Sequence, residues 1–255
     1  MQMMKDWWYL FLRQVRSSRR MPAVLFLAIF QPIVWVVLFS QLFQSIASVP
    51  GFDEKSYITF LTPGIAVMTA LFGAAYSGMG LLGDMYSGML DRLLATPISR
   101  SALIAGPLGY TTFQTVIQVS IIVVIGFALG ARPKGGVAGF VLLLVASALL
   151  GLAFGGISNW LAILTHRQNS LIAMVNFLSL PLTFLSTMMM ERKLMPHWMR
   201  IATEYNPVDW AVTVSRASFE GRWQAVWARL ILLSVFALVS CILATTGFMR
   251  YQRSC

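Results

Sequence analysis

Two histidines, His166 and His197, and two cysteines, Cys241 and Cys255, are the only imidazole and thiol groups in the chain, and they stand far apart in it. A zinc centre needs three or four such ligands at close spacing, and no HExxH run brings a pair together. There is no GxxxxGK[ST] loop either, so the chain lacks the glycine-rich cradle that holds ATP phosphates, and any ATP-driven work needs a partner. Bond-making chemistry is therefore not expected of this chain. The residues that remain capable of work are charged and aromatic side chains grouped in two places, 83–100 and 191–229.

In the first group, read as a helix over 84–94, Met85, Met89 and Leu93 share one side, with Leu90 and Leu94 adjacent, while Asp84, Ser87, Gly88 and Asp91 lie elsewhere. Thr96-Pro97 ends such a helix, because the residue before proline is biased out of the helical region. The apolar side has two possible uses. It can rest on the chain's own helices, or it can enter a partner's groove, where methionines adapt well and Asp91 and Arg92 set the register.

What must position these groups is a membrane. Of the 255 residues 58% are hydrophobic and 11% charged, against roughly 25% charged in soluble domains. No Asp, Glu, Lys or Arg occurs between Arg20 and Asp53, Lys55 and Asp84, Arg100 and Arg132, Lys134 and His166, Arg167 and Glu191, or Arg229 and Arg250. Each run exceeds or approaches the ~20 residues that cross a ~30 Å hydrocarbon core as a helix. Six spans are predicted, at 22–43, 56–82, 101–129, 137–164, 170–188 and 230–249. The fold class is an all-α polytopic membrane protein in one domain, 1–255.

Residues 3–17 mix Trp7, Trp8, Leu10, Phe11 and Val15 with Lys5, Arg13 and Arg16, which suits a helix lying in the headgroup layer. The first apolar run is too long for a signal peptide and reads as an uncleaved span. The net charge of +10 resides at the ends of apolar runs rather than along one exposed face, so no nucleic-acid partner is expected. Five basic residues precede the first span and place the amino end in the cytoplasm, and six spans return the carboxyl end there. This topology puts ten Lys/Arg inside and nine outside, six of the nine in 191–229, so the orientation rests on the first helix. With Cys241 within lipid and Cys255 on the cytoplasmic side, no disulfide is expected. The pairs Gly126/Gly130 and Gly151/Gly155 permit close helix approach, within the chain or between subunits.

Across 191–220, Glu191, Arg192, Lys193, Arg200, Glu204, Asp209, Arg216 and Glu220 are too many charges for a span. Trp198, Ile201, Trp210, Val212 and Val214 are too apolar for a free loop. A re-entrant or interfacial helical hairpin in the outer leaflet satisfies both, with Asn206-Pro207 as its turn. The tryptophans serve equally an aromatic belt or a lateral gate.

Three segments together resemble the membrane subunits of type-two ABC exporters. These are Phe60-Leu-Thr-Pro-Gly64, then Asp84 through Pro97 with Arg100, then Leu180-Pro181 through Asn206-Pro207 to Arg216. Gly88-Met89-Leu90-Asp91-Arg92 stands where the family commonly has Gly-Thr-Leu-Glu-Arg, and Asp for Glu keeps the charge with a shorter reach. The resemblance implies a coupling helix seated on an ATPase and formed by Asp84, Met85, Gly88, Met89, Asp91, Arg92, Leu93, Thr96, Pro97 and Arg100. It also implies an outer gate at Pro196, Trp198, Asn206, Pro207, Trp210 and Arg216. The implied partners are two cytoplasmic ATPase subunits, which bind the ATP and magnesium, and a second copy or a homologous permease, in the bacterial cytoplasmic membrane.

Cargo is not written in a motif. Trp35, Phe39, Phe60, Phe72, Phe177 and Phe184 are aromatic enough for a hydrophobic drug or lipid path, although packed or lipid-facing rings are commoner. A polysaccharide exporter and an ion-gradient transporter are the alternatives. The absence of any ionisable residue within a span weakens the second of these.

Overall fold

The computed structural model describes residues 2–20, 22–43 and 56–254, with only the backbone described for Gln2, Met3, Val24, Leu25, Arg100, Ser101 and residues 250–254. Cys255 and the flanking charges Asp53 and Lys55 lie outside the described residues. All regular structure in the described residues is helical. The helices are α1 (Gln2–Arg19), α2 (Pro22–Leu42), α3 (Tyr57–Ala75), α4 (Gly78–Tyr86), α5 (Met89–Leu94) and α6 (Arg100–Ala128). They continue with α7 (Gly136–Thr165), α8 (Gln168–Phe184), α9 (His197–Tyr205), α10 (Pro207–Glu220) and α11 (Val226–Ser254).

Four stretches of the described residues are long and apolar enough to cross a bilayer: Tyr57–Tyr86, Ala102–Ala128, Gly136–Thr165 and Trp223–Met249. A shorter apolar stretch, Phe26–Leu42, lies in α2, and α8 has 17 residues, about 26 Å of helix. Backbone polarity inside such helices is satisfied within them, and the hydroxyls follow suit. Thr62, Thr69, Thr111 and Ser120 each donate to the carbonyl four residues back, which spares them an unpaired donor in hydrocarbon.

The stretch Tyr57–Tyr86, made of α3 and α4, is the most enclosed of the four, 78% buried in its most apolar part against 22% for Trp223–Met249, so α11 presents most of its surface outward. Helix α7 holds the bundle together by touching α3, α6, α8, α10 and α11. Its Gly151 and Gly155 are where α6 comes closest: a methyl group at Gly151 would lie 3.0 Å from Thr115 Oγ1, and one at Gly155 would lie 3.1 Å from Leu108. That glycine pair serves packing inside the chain. Gly126 packs on Thr62 of α3, whereas Gly130, at φ +102°, makes the turn after α6 and packs on nothing.

The bundle has two ends. One gathers α1, α4, α5, the start of α6 and the α7–α8 turn; the other gathers the start of α3, the α6–α7 turn, the end of α8, and α9 and α10.

Two breaks were not expected. The stretch 56–82, predicted as one span, is α3 followed by α4, because the Gly78 N–H leaves the helical ladder and donates to Ser158 Oγ of α7 at 3.0 Å. Around it, Ser77, Met79 and Gly80 reach carbonyls three residues back, a tighter winding. The single helix expected over 84–94 is also broken, since Gly88 adopts φ +65°, a left-handed conformation that glycine alone enters without steric cost. Asp84 and Met85 therefore extend α4, and only Met89–Leu94 forms the separate helix α5.

Candidate functional site

Helix α5 is anchored from behind. Leu90 is 3% exposed in a core shared with Leu10, Leu103, Leu171 and Phe248, and Met85, Leu93, Leu94 and Ile98 pack partly against the same core. The apolar side of this segment thus rests on its own bundle. What α5 and its flanks leave outside is a short strip: Tyr86, Ser87, Met89, Asp91, Arg92, Ala95, Thr96 and Pro97. Thr96 Oγ donates to Leu93 O at 2.6 Å, which closes the helix before Pro97.

The break at Gly88 separates the residues of this set. Met89 turns outward while Met85 and Leu93 turn inward, so the three do not share a face. Asp84 is paired with Arg13 of α1 and is not part of the exposed strip. Asp91 and Arg92 lie side by side on the outside. Arg100 opens α6, and its side chain lies outside the described ones. Tyr86 was not anticipated. It is 60% exposed, yet its hydroxyl donates to His166 O at 2.6 Å and ties the exposed strip to the turn His166-Arg167-Gln168-Asn169.

Above α4, side chains of α7 and α8 grip the bend. Tyr76 donates to Asn176 Oδ1 at 2.6 Å, Asn159 Nδ2 bonds Gly155 O at 2.8 Å and reaches Ser77 Oγ, and Ser158 holds Gly78. A methyl group at Gly78 would lie 2.4 Å from Ser158 O, so the α3–α4 bend is in backbone contact with α7.

At the opposite end, α10 holds the chain as it leaves α8. Asn206 accepts from Val208 N at 2.9 Å and caps α10, where Pro207 occupies the first turn. Its amide donates to Leu182 O and Leu185 O at 2.7 and 2.8 Å, two carbonyls left over where α8 ends. Asp209 accepts from both the backbone N–H and the hydroxyl of Thr187. Arg216, only 9% exposed, donates to Thr187 O at 2.9 Å and lies 3.7 Å from the centre of the Phe60 ring, so the guanidinium sits between α3 and the tail of α8. Burial pushes the guanidinium below its ordinary range, and the carboxylates of Glu220, Asp209 and Glu191 offset part of that.

Of the expected gate residues, Asn206, Pro207 and Arg216 belong to this latch. Trp210 is half-buried and donates to Glu204 O, while Pro196 and Trp198 are exposed on the α9 side. Asp209 and Thr187 complete the latch, and sequence reading missed their pairing because 22 residues separate them.

The six aromatics expected to line one path do not converge. Trp35 and Phe39 stack at 4.9 Å, Phe43 continues to Tyr57, and Tyr57 to Phe60 under Arg216. Phe72 is half-buried, and Phe177 and Phe184, 84% and 71% exposed, stand on the free face of α8. The burial of Phe60, the half-burial of Trp35, Phe39 and Phe72, and the exposure of Phe177 and Phe184 follow from which helix faces have neighbours, which composition does not encode. Among the described residues no group of three His, Cys, Asp or Glu could hold a metal ion.

The described residues thus form a helical bundle with four apolar stretches long enough to cross a membrane, a short exposed helix backed by core at one end and a latched α8–α10 junction at the other. The ABC-2 type transporter family model matches residues 5–219, and the chain belongs to that family. It is 30% identical over 246 residues to a protein named transport permease ycf38 from Cyanophora paradoxa, covering 92% of this chain and 83% of that one. A like-named protein from Pyropia yezoensis is 31% identical over 210 residues, 80% and 70% of the two chains. The daunorubicin resistance ABC transporter permease protein DrrB1 of Streptomyces coeruleorubidus is 25% identical over 240 residues, 94% and 83% of the two. The chain is thus a multi-pass membrane subunit of an ABC transporter, and permeases of this family work with ABC ATPase subunits.

Proposed function

We propose that the chain is the permease of an ATP-driven exporter that moves a hydrophobic drug or lipid-like molecule out across the bacterial cytoplasmic membrane. It crosses six times with both termini in the cytoplasm, and α9 and α10 dip into the outer leaflet. It pairs with a second copy or a homologous permease and with two ATPase subunits, which carry the ATP and magnesium. The observation that carries this reading is the strip on α5. Asp91 and Arg92 are fully presented on a helix whose Leu90 is buried behind them, so a partner pushing on the strip pushes on the bundle. Adjacent opposite charges set register on a partner more than they add affinity.

Cargo class rests on the relative named for daunorubicin resistance and on the exposed aromatic face of α8, where Phe177 and Phe184 meet lipid or a second permease. The test is coexpression with the ATPase subunit and pull-down from membranes. The D91R/R92D double substitution is expected to weaken capture about tenfold, because each reversed charge then meets like charge on the partner. Unchanged capture with unchanged transport refutes the docking role.

A further inference from the structure

The first helix does more than lie at a surface. Asp6 and Arg13 are seven residues apart on α1, two turns, and so face the same way about 10 Å apart. They reach the two stems of the docking segment. Arg13 pairs with Asp84 on α4, both side chains about three quarters buried, and Asp6 Oδ2 accepts from Ser99 N at 3.0 Å, immediately before α6. Everything between these stems, 85–98, contains α5 and the exposed strip.

Helix α1 is itself locked to α6. Trp7 Nε1 donates to Ala105 O at 3.0 Å, and Leu10 is buried over Gly106, where a methyl group would lie 2.6 Å from its Cβ. The Trp7 ring lies over Gly109, where a methyl group would lie 2.9 Å away. Trp8 and Tyr9 point outward.

We infer that α1 is the brace of the docking segment, with Asp6 and Arg13 as positioning residues that hold both of its stems to one rigid helix. The inference rests on the docking role of α5. A short helix backed through one buried leucine and left untied at its stems tilts when pushed off centre, and part of the thrust on Met89–Leu94 is then lost. With Asp84 and Ser99 bound to α1, and α1 bound to α6, the same thrust displaces α4 and α6 together.

The test uses the full chain with its ATPase in vesicles and reads cargo moved per ATP hydrolysed. R13D and D84R each lower that ratio about fivefold, the coupling expected of a partly buried ion pair, while ATPase pull-down is unchanged. R13D/D84R restores the ratio to within about twofold of wild type, and R13K, which keeps the charge, retains most of it. D6N lowers the ratio less, since an amide oxygen still accepts from Ser99 N. A double reversal no better than the single ones, or single reversals that leave the ratio unchanged, overturns the brace. A separate arm needs no ATPase: in a chain with Cys241 and Cys255 replaced by serine, R13C/D84C is bridged by a short bis-maleimide in membranes. Bridging upholds the stem contact even if no ATPase is captured, which would refute docking alone; absence of bridging overturns the contact itself.

Discussion

Replacing Arg216 by methionine removes the charge at nearly constant volume and isolates what the guanidinium does. Its Nη2 donates to Thr187 O at 2.9 Å and approaches the carbonyls of Met188 and Phe60, and the cation rests on the Phe60 ring. Leaving a buried carbonyl without its donor costs about 1–3 kcal/mol. Loss of a desolvated cation–π contact costs about 1–2 kcal/mol more. Against this, the variant no longer buries a charge, which recovers part of the sum. A net loss of about 2 kcal/mol remains, a factor of roughly thirty in the opening of the latch. Hydrogen exchange of the protein in nanodiscs is expected to show the amides of 185–190 exchanging about thirtyfold faster, with α7 amides unchanged. Arg216→Lys recovers part of the protection, because an ammonium keeps the charge and loses the planar stack. Phe60→Leu alone accelerates exchange about fivefold and adds little to Arg216→Met, since both remove one contact. If Arg216→Met leaves exchange across 185–190 within twofold of wild type, the latch is not held by Arg216 and the reasoning fails.

Gly78→Ala forces a methyl group against the Ser158 carbonyl, and thermal melting in detergent is expected to report a loss of about 2 kcal/mol, while Gly80→Ala, which meets open space, is close to neutral. Gly88→Ala has room for its methyl group but strains a backbone at φ +65°, costing about 1 kcal/mol; the same melt reads it, and pull-down of the ATPase weakens as α5 swings off its axis. Asp209→Ala removes the oxygen that takes both Thr187 donors, and Thr187 amide exchange is expected to rise about tenfold while Leu182 amide exchange does not.

The long helices were legible because charge is excluded from hydrocarbon: the run between Lys134 and His166 contains α7 almost to the residue. Asn206-Pro207 was legible as a turn because cap and first-turn chemistry are local. The bend at Ser77 and the break at Gly88 were not, for different reasons. Gly78 leaves its ladder for a hydroxyl 80 residues away, which no window sees. Met85, Met89 and Leu93 keep a spacing of four on both sides of a single left-handed residue, so periodicity reads straight through it. The partner of Asp84 lies 71 residues away, and an exposed acidic residue in a polar loop reads as a docking contact until Arg13 is placed beside it. Among the aromatics, ring content was readable and facing was not, since Phe60 and Phe177 differ only in what packs against their helices.

The account rests on thrust from an ATPase reaching the bundle through α5. The most direct measurement is cargo movement in proteoliposomes holding the chain and its ATPase. A hydrophobic dye or drug should accumulate only with hydrolysable ATP, and the rate should fall about tenfold for D91R/R92D while the Asp209→Ala chain keeps its ATPase capture. Movement driven by an ion gradient with ATP absent, or ATP-driven movement untouched by D91R/R92D, would contradict it.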